Sequence, residues 1–177
     1  MEGCDEDTFL FAVRNLSAAG VFVVASAGND GPACGSLQYP PANYAELFTV
    51  GAIDNMGELA IFSSIGPTKA DNLHLIKPDI VAPGMDVLSS TPGDTYAKYS
   101  GTSMAGPHVV GVVALMWAAN PELIGDIQAT KQALIESAIP YSGSLPDCPG
   151  VAGYPSTAVG YGILNAYQAV QLALQMK

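Results

Sequence analysis

Cationic residues are scarce in this chain. Its 177 residues include 6 Lys and Arg against 16 Asp and Glu, a formal charge of −10, and none of the six cations adjoins another. A phosphate backbone is bound through basic patches, so nucleic acid is excluded as a partner class. The acidity itself reads as a solvated surface. Cysteine is also rare: Cys4, Cys34 and Cys148 are the whole set, with no C-x-x-C spacing, which disfavours zinc. Any two of the three could pair, leaving one over, and buried free thiols are as compatible with the count. An odd count also fits a partner cysteine in an absent N-terminal segment. The longest apolar run, residues 109–119, is broken by Gly111 and falls short of a membrane span. Glu2, Asp5, Glu6 and Asp7 are acidic where a signal peptide needs basic residues.

What is abundant is apolar surface: 49% of residues are hydrophobic and only 12% charged, enough to build a core. Asp5 or Asp7 is placed to cap a helix starting near Thr8, with Phe9, Ala12, Val13 and Leu16 on one face and Gly20 as its stop. Residues 21–25 read as a fully buried parallel strand, residues 48–53 as a second and 80–82 as a third. Residues 86–90 and 96–99 flank Pro92-Gly93 as a hairpin. Helices are expected over 103–119, over 126–137 and after Asn165 as a cap. Helix followed by buried strand is half of a βαβ unit, so the fold class is α/β. The chain opens on a helix feeding a central strand, and a parallel sheet needs crossovers on both faces. The expectation is a three-layer α/β fold with a parallel sheet, incomplete at its N-terminal side.

Chemistry concentrates in Tyr99-Ser100-Gly101-Thr102-Ser103-Met104-Ala105-Gly106-Pro107-His108-Val109. Gly101 permits a sharp bend, and Ser103 then opens a long apolar helix. Unpaired N–H groups and the helix dipole favour negative charge there, and the Ser103 N–H can donate to an oxyanion. Pro107 is tolerable if it falls in the first helical turn. On this stretch alone Ser103 would be only an N-cap. The second stretch is Val23-Val24-Ala25-Ser26-Ala27-Gly28-Asn29-Asp30-Gly31, a strand running into a loop. An Asn amide at the carboxyl end of such a strand points to where α/β sheets bind ligands. Alone, Asn29 would merely shape a turn.

Together, in this order, these stretches resemble the subtilases, the subtilisin-like serine peptidases. Residues 101–109 resemble the family's nucleophile block and residues 26–29 its oxyanion segment. Residues 48–52, 62–67, 77–84 and 160–166 match it in order as well, so the likeness spans nearly the whole chain, 1–177. The resemblance implies serine endopeptidase activity on peptide or protein substrates through an acyl-enzyme. Ser103 is then the nucleophile, Asn29 the oxyanion donor, and Ser26, Ala27, Gly28, Gly101 and Thr102 bind substrate. It implies a cis peptide bond at Tyr39-Pro40, an extracellular location, and calcium in some members. Asp54, Asp71 and Asp94 match no calcium-loop pattern, so no cofactor and no metal is assigned.

The family's triad order is Asp, His, Ser, and nothing before residue 21 resembles the first two segments. His108 lies five residues after Ser103, about 140° around a helix, and is expected to be a buried packing residue. His74 sits in a polar stretch. Neither serves as the base that a serine hydroxyl needs. The chain is therefore expected to be the C-terminal part of a catalytic domain whose partner is the missing N-terminal part, inactive and poorly soluble alone, with no nucleic acid or membrane partner. A different class, a non-catalytic subtilase-like binding or structural module, competes with this. A nucleotide-binding reading fails because no G-x-x-x-x-G-K-[ST] occurs and the glycine spacing is wrong.

Overall fold

Phe48-Thr49-Val50-Gly51-Ala52-Ile53 carries no charge and is apolar on both faces, the pattern of a central parallel strand. In the computed structural model, which describes residues 7–68 and 75–176, it forms β2 (Phe48–Ile53), buried at every position. Cys4, Asp5, Asp71 and His74 lie outside the described residues. On one side β2 pairs in parallel with β1 (Val24–Ser26), Ser26 opposite Val50. On the other it pairs in parallel with β3 (Ile80–Pro83), Val50 opposite Ile80. The order β1-β2-β3 makes β1 an edge of this sheet. β3, the other outer strand, is covered by residues 162–164, where the Leu164 N–H donates to the Val81 carbonyl, whereas among the described residues no strand pairs with the outer side of β1, which is half-buried and only three residues long where the sequence suggested a buried strand over 21–25. The predicted hairpin is present as β4 (Val87–Thr91) and β5 (Thr95–Tyr99), antiparallel with Thr91 opposite Thr95.

Period two decides what each face meets. Phe48, Val50, Ala52, Ile80 and Ala82 pack on α2 (Thr102–Ala119), with Val109, Val112, Val113 and Met116 as its contribution. α3 (Ile127–Glu136) and α4 (Ala166–Ala173) complete that layer. Across the sheet, α1 (Leu10–Ala18) brings Val13 against Leu47, Tyr44, Val23 and Ala25. Ile53, Ile65 and Val81 meet residues 151–159 in a second cluster. The three-layer α/β architecture is as expected.

Asn165 caps α4 as expected, the N-cap of α2 falls on Gly101 rather than Ser103, and α3 gains a cap that the sequence reading did not name. Asp126 accepts from the Ala129 N–H at α3, and Asn165 from the Gln168 N–H at α4. At α1 the N-cap position falls on Phe9, without a side-chain cap, and Asp7 supplies its backbone carbonyl to the Leu10 N–H instead. α2 is long and apolar enough to pass for a membrane span by length and composition. Its buried stripe against β2 and β3 makes it the core helix of this fold. Lys77, fully buried, donates to the Leu47 carbonyl at 2.7 Å and to the Asp79 carboxylate at 2.6 Å. Cys34 and Cys148 form a disulfide across 114 residues, which settles the pairing among described residues. The cis bond in the 39–41 stretch is Pro40–Pro41, one residue later than expected, while Tyr39-Pro40 is not among the cis bonds.

Candidate active site

Two chain ends meet at the carboxyl edge of the sheet. β1 stops at Ser26 and releases the 27–41 loop, and α2 begins at Thr102 directly beside it. Gly84 makes the approach possible: its N–H donates to the Ile53 carbonyl, its own carbonyl accepts from Gly101 at 2.7 Å, and a Cβ there would stand 2.6 Å from that of Ala52.

Thr102 is the latch between the two ends. It is fully buried, and its hydroxyl accepts from the Gly28 N–H at 3.2 Å. That hydroxyl also lies 3.1 Å from Asn29 Oδ1 and 3.2 Å from the Gly28 carbonyl. The Thr102 N–H donates to Asn29 Oδ1 at 2.9 Å. A backbone N–H can only donate, so the amide oxygen must face it, and the orientation of the Asn29 amide follows. Asn29 Nδ2 is then directed away from Thr102. It has no hydrogen-bond partner among the described residues and lies 3.6 Å from where a Cβ on Gly101 would be.

Ser103 follows Thr102 and is exposed. Its N–H is one of the first-turn donors for which no carbonyl lies one turn earlier. The Asn29 amide and the Ser103 N–H thus stand at the same positive end of an 18-residue helix. Ser26 and Ser103 line one cavity of about 410 Å³ together with Val24, Gly106, Pro107 and Val110. Ala27 is buried, its N–H bonded to the Val50 carbonyl. The structure therefore gathers all the candidates, Ser26, Ala27, Gly28, Asn29, Gly101, Thr102 and Ser103, around one helix start.

Two expectations need correction. Pro107 is interior to α2 rather than in its first turn, and with no N–H it cannot bond the Ser103 carbonyl. His108 is exposed rather than buried, because it falls on the flank of α2 turned away from the sheet. Its Nδ1 lies 2.9 Å from the Met104 carbonyl one turn earlier, so that nitrogen is engaged by its own helix, and no hydrogen bond joins the ring to Ser103 among the described residues.

Ser64 belongs to the same neighbourhood, yet sequence alone gave it no role. It is fully buried; its N–H donates to the Gly28 carbonyl and its Oγ accepts from the Asp30 N–H, both at 3.0 Å. Its only sequence signal was membership of the 62–67 stretch.

The model of the Subtilase family matches residues 3–167. This chain belongs to the subtilases. It is 44% identical to Bacillopeptidase F of Bacillus subtilis (strain 168) over 89% of the chain, and 36% identical to the thermophilic serine proteinase of Bacillus sp. (strain AK1) over 95% of it. Among solved structures, the patellamide maturation protease PatA superposes with a TM-score of 0.77 at 30% identity, over 99% of this subtilase chain. The chain spans 11% of Bacillopeptidase F, 36% of the thermophilic proteinase and 59% of the PatA chain.

Proposed function

We propose that this chain is the nucleophile-bearing C-terminal part of a subtilase catalytic domain and acts in peptide-bond hydrolysis. The observation that carries the reading is the Thr102 N–H bond to Asn29 Oδ1, which leaves Nδ2 without a partner among the described residues near Gly101, at the start of α2. In the reaction, Ser103 Oγ attacks the scissile carbonyl and loses its proton to a base. The oxyanion takes hydrogen bonds from Asn29 Nδ2 and the Ser103 N–H, in place before charge develops. Collapse expels the amine and leaves the acyl group on Ser103, and water releases it. Ser26, Ala27 and Gly28 on one side and Gly101 and Thr102 on the other bind the peptide. The base and its orienting carboxylate come from the N-terminal part of the same domain. His108 Nδ1 is engaged by its own helix, and the family order supports an upstream source.

The open flank of α2 supports the same partner. Val110 is 51% and Leu115 57% exposed on a helix otherwise built as core. An extracellular setting is supported by the Cys34–Cys148 disulfide, since such bonds persist in oxidising compartments. No calcium is assigned to these residues. Asp54 Oδ1 already accepts from the Met56 and Glu58 N–H groups, Asp94 sits in the hairpin turn, and no described cluster of three or more His, Cys, Asp or Glu could hold a metal.

The test compares the isolated 177-residue chain with the open reading frame read upstream of Met1. The isolated chain should cleave a chromogenic peptide no faster than buffer. The longer product, carrying Asp and His motifs, should turn it over and lose turnover in Ser103→Ala. A stop codon directly upstream would hand the lead to the binding-module reading. Activity surviving Ser103→Ala would overturn the nucleophile assignment.

A further inference from the structure

We propose that Ser64 is a positioning residue for Asn29, setting the backbone that aims its amide. The inference rests on the oxyanion reading of Asn29 and adds the residue through which the fold enforces it.

Asn29 is exposed, beyond the end of β1, with no strand beside it. Thr102 holds its amide, but an amide can be held from several backbone conformations. Thr102 also meets the Gly28 backbone, but Ser64 bonds both flanking residues, the Gly28 carbonyl through its N–H and the Asp30 N–H through its Oγ. Ser64 does not move with the loop. It belongs to a rail, residues 62–66, that takes the Gly31 N–H on the Phe62 carbonyl at 2.9 Å and the Leu37 N–H on the Ile65 carbonyl at 2.9 Å. The rail is tied to the sheet centre by Ser63, whose Oγ accepts from the Ala52 N–H of β2 at 3.0 Å. Gly28 completes the fit. Its φ is +105°, and a Cβ there would stand 2.8 Å from Ser64 Oγ, so a side chain would dislodge the hydroxyl. Asn29 is held from both sides: Thr102 takes its amide and the Gly28 backbone before it, and Ser64 takes the backbone both before and after it.

The two hydrogen bonds differ in what they need from residue 64. Any residue supplies the N–H, and only a hydroxyl supplies the acceptor for Asp30. That bond is part-buried at the edge of an exposed residue, and water should take up the Asp30 N–H when the hydroxyl is removed. Loss of the hydroxyl should therefore loosen the aim of Asn29 without unfolding the protein.

The test uses the full-length protein that carries these residues, with hydrogen exchange read amide by amide by mass spectrometry. In Ser64→Ala the Asp30 and Thr102 amides should both exchange about tenfold faster, and in Asn29→Ala the Thr102 amide alone. The melting temperature of Ser64→Ala should stay within about 3 °C of wild type. Faster exchange at Asp30 with wild-type protection at Thr102 would make Ser64 a loop fastener and overturn the proposal, as would a melting temperature that collapses. In peptide hydrolysis, Ser64→Ala should lower kcat about tenfold at unchanged KM, and should cost nothing further in an Asn29→Ala background. Losses that multiply instead of merging also overturn it. If Asn29→Ala keeps wild-type kcat, the oxyanion reading fails, and the exchange data still judge Ser64 by themselves.

Discussion

At the scale of single residues, the site depends on an amide turned the right way. Removing it in Asn29→Ala should lower kcat of the complete enzyme by roughly 10²–10³ at little cost in KM, the range that a subtilisin itself established. Steady-state kinetics on a peptide substrate checks it. Glu46 offers a prediction of another kind. Burial alone would raise its carboxyl pKa, but the Arg14 hydrogen bond at 2.7 Å, with the charges of Arg14 and Lys131, brings it below the usual value of 4.5. The unfolded chain then takes up the proton first as pH falls. The stabilisation is present above about pH 4.5 and is lost as pH drops through the lowered folded value. Melting curves from pH 6 to 3 should show wild type ahead of Glu46→Gln at the upper end, the gap closing on acidification. The proposed nucleophile and the proposed donor were both named in sequence through their motifs. Ser64 was not, because its role lies in two contacts made 34 and 36 residues away in the chain. The exposure of His108 was not legible either, since helical spacing gives an angle around α2 and not what lies opposite.

At the scale of elements, the strands and helices follow from short-range pattern, and their errors have physical causes. β2 is buried on both faces and its apolar run announced this. The apolar 21–25 run is just as strong, yet β1 is a half-buried edge, because burial depends on neighbours rather than on composition. Caps behave similarly: Asn165 bonds the Gln168 N–H as expected, whereas Asp7 lies too early to cap the helix that begins at Leu10. Replacing Asp126 by Ala should destabilise the complete enzyme by about 1 kcal/mol, read from urea denaturation. The Lys77–Asp79 pair anchors the entry to β3 where the Asp79 N–H meets the Thr49 carbonyl. Lys77→Met would leave a partly buried carboxylate without its cation, and the expected loss is about 3 kcal/mol by the same measurement.

At the scale of the whole molecule, two features act together. The Cys34–Cys148 bond ties the loop that carries Asn29 to the 140–155 loop, closing a span of 114 residues. Cys148→Ser should lower unfolding free energy by about 4 kcal/mol, since long closed spans restrict the unfolded chain most. The open flank of α2 works against solubility. The isolated chain should self-associate in sedimentation velocity, and Val110→Lys with Leu115→Glu should shift it toward monomer. A sharp melt of a monomeric wild-type sample would contradict that. The sequence by itself determined the family, the α/β class, most helix and strand positions, and the residue types at the helix start. Each of these is written in short stretches of consecutive residues, the family in several such stretches and their order along the chain. Only the tertiary structure decided which cysteines pair, which strand is an edge, which way the Asn29 amide faces and what holds it there. Those depend on residues far apart in the chain, whose contacts exist only once the sheet and α2 have packed.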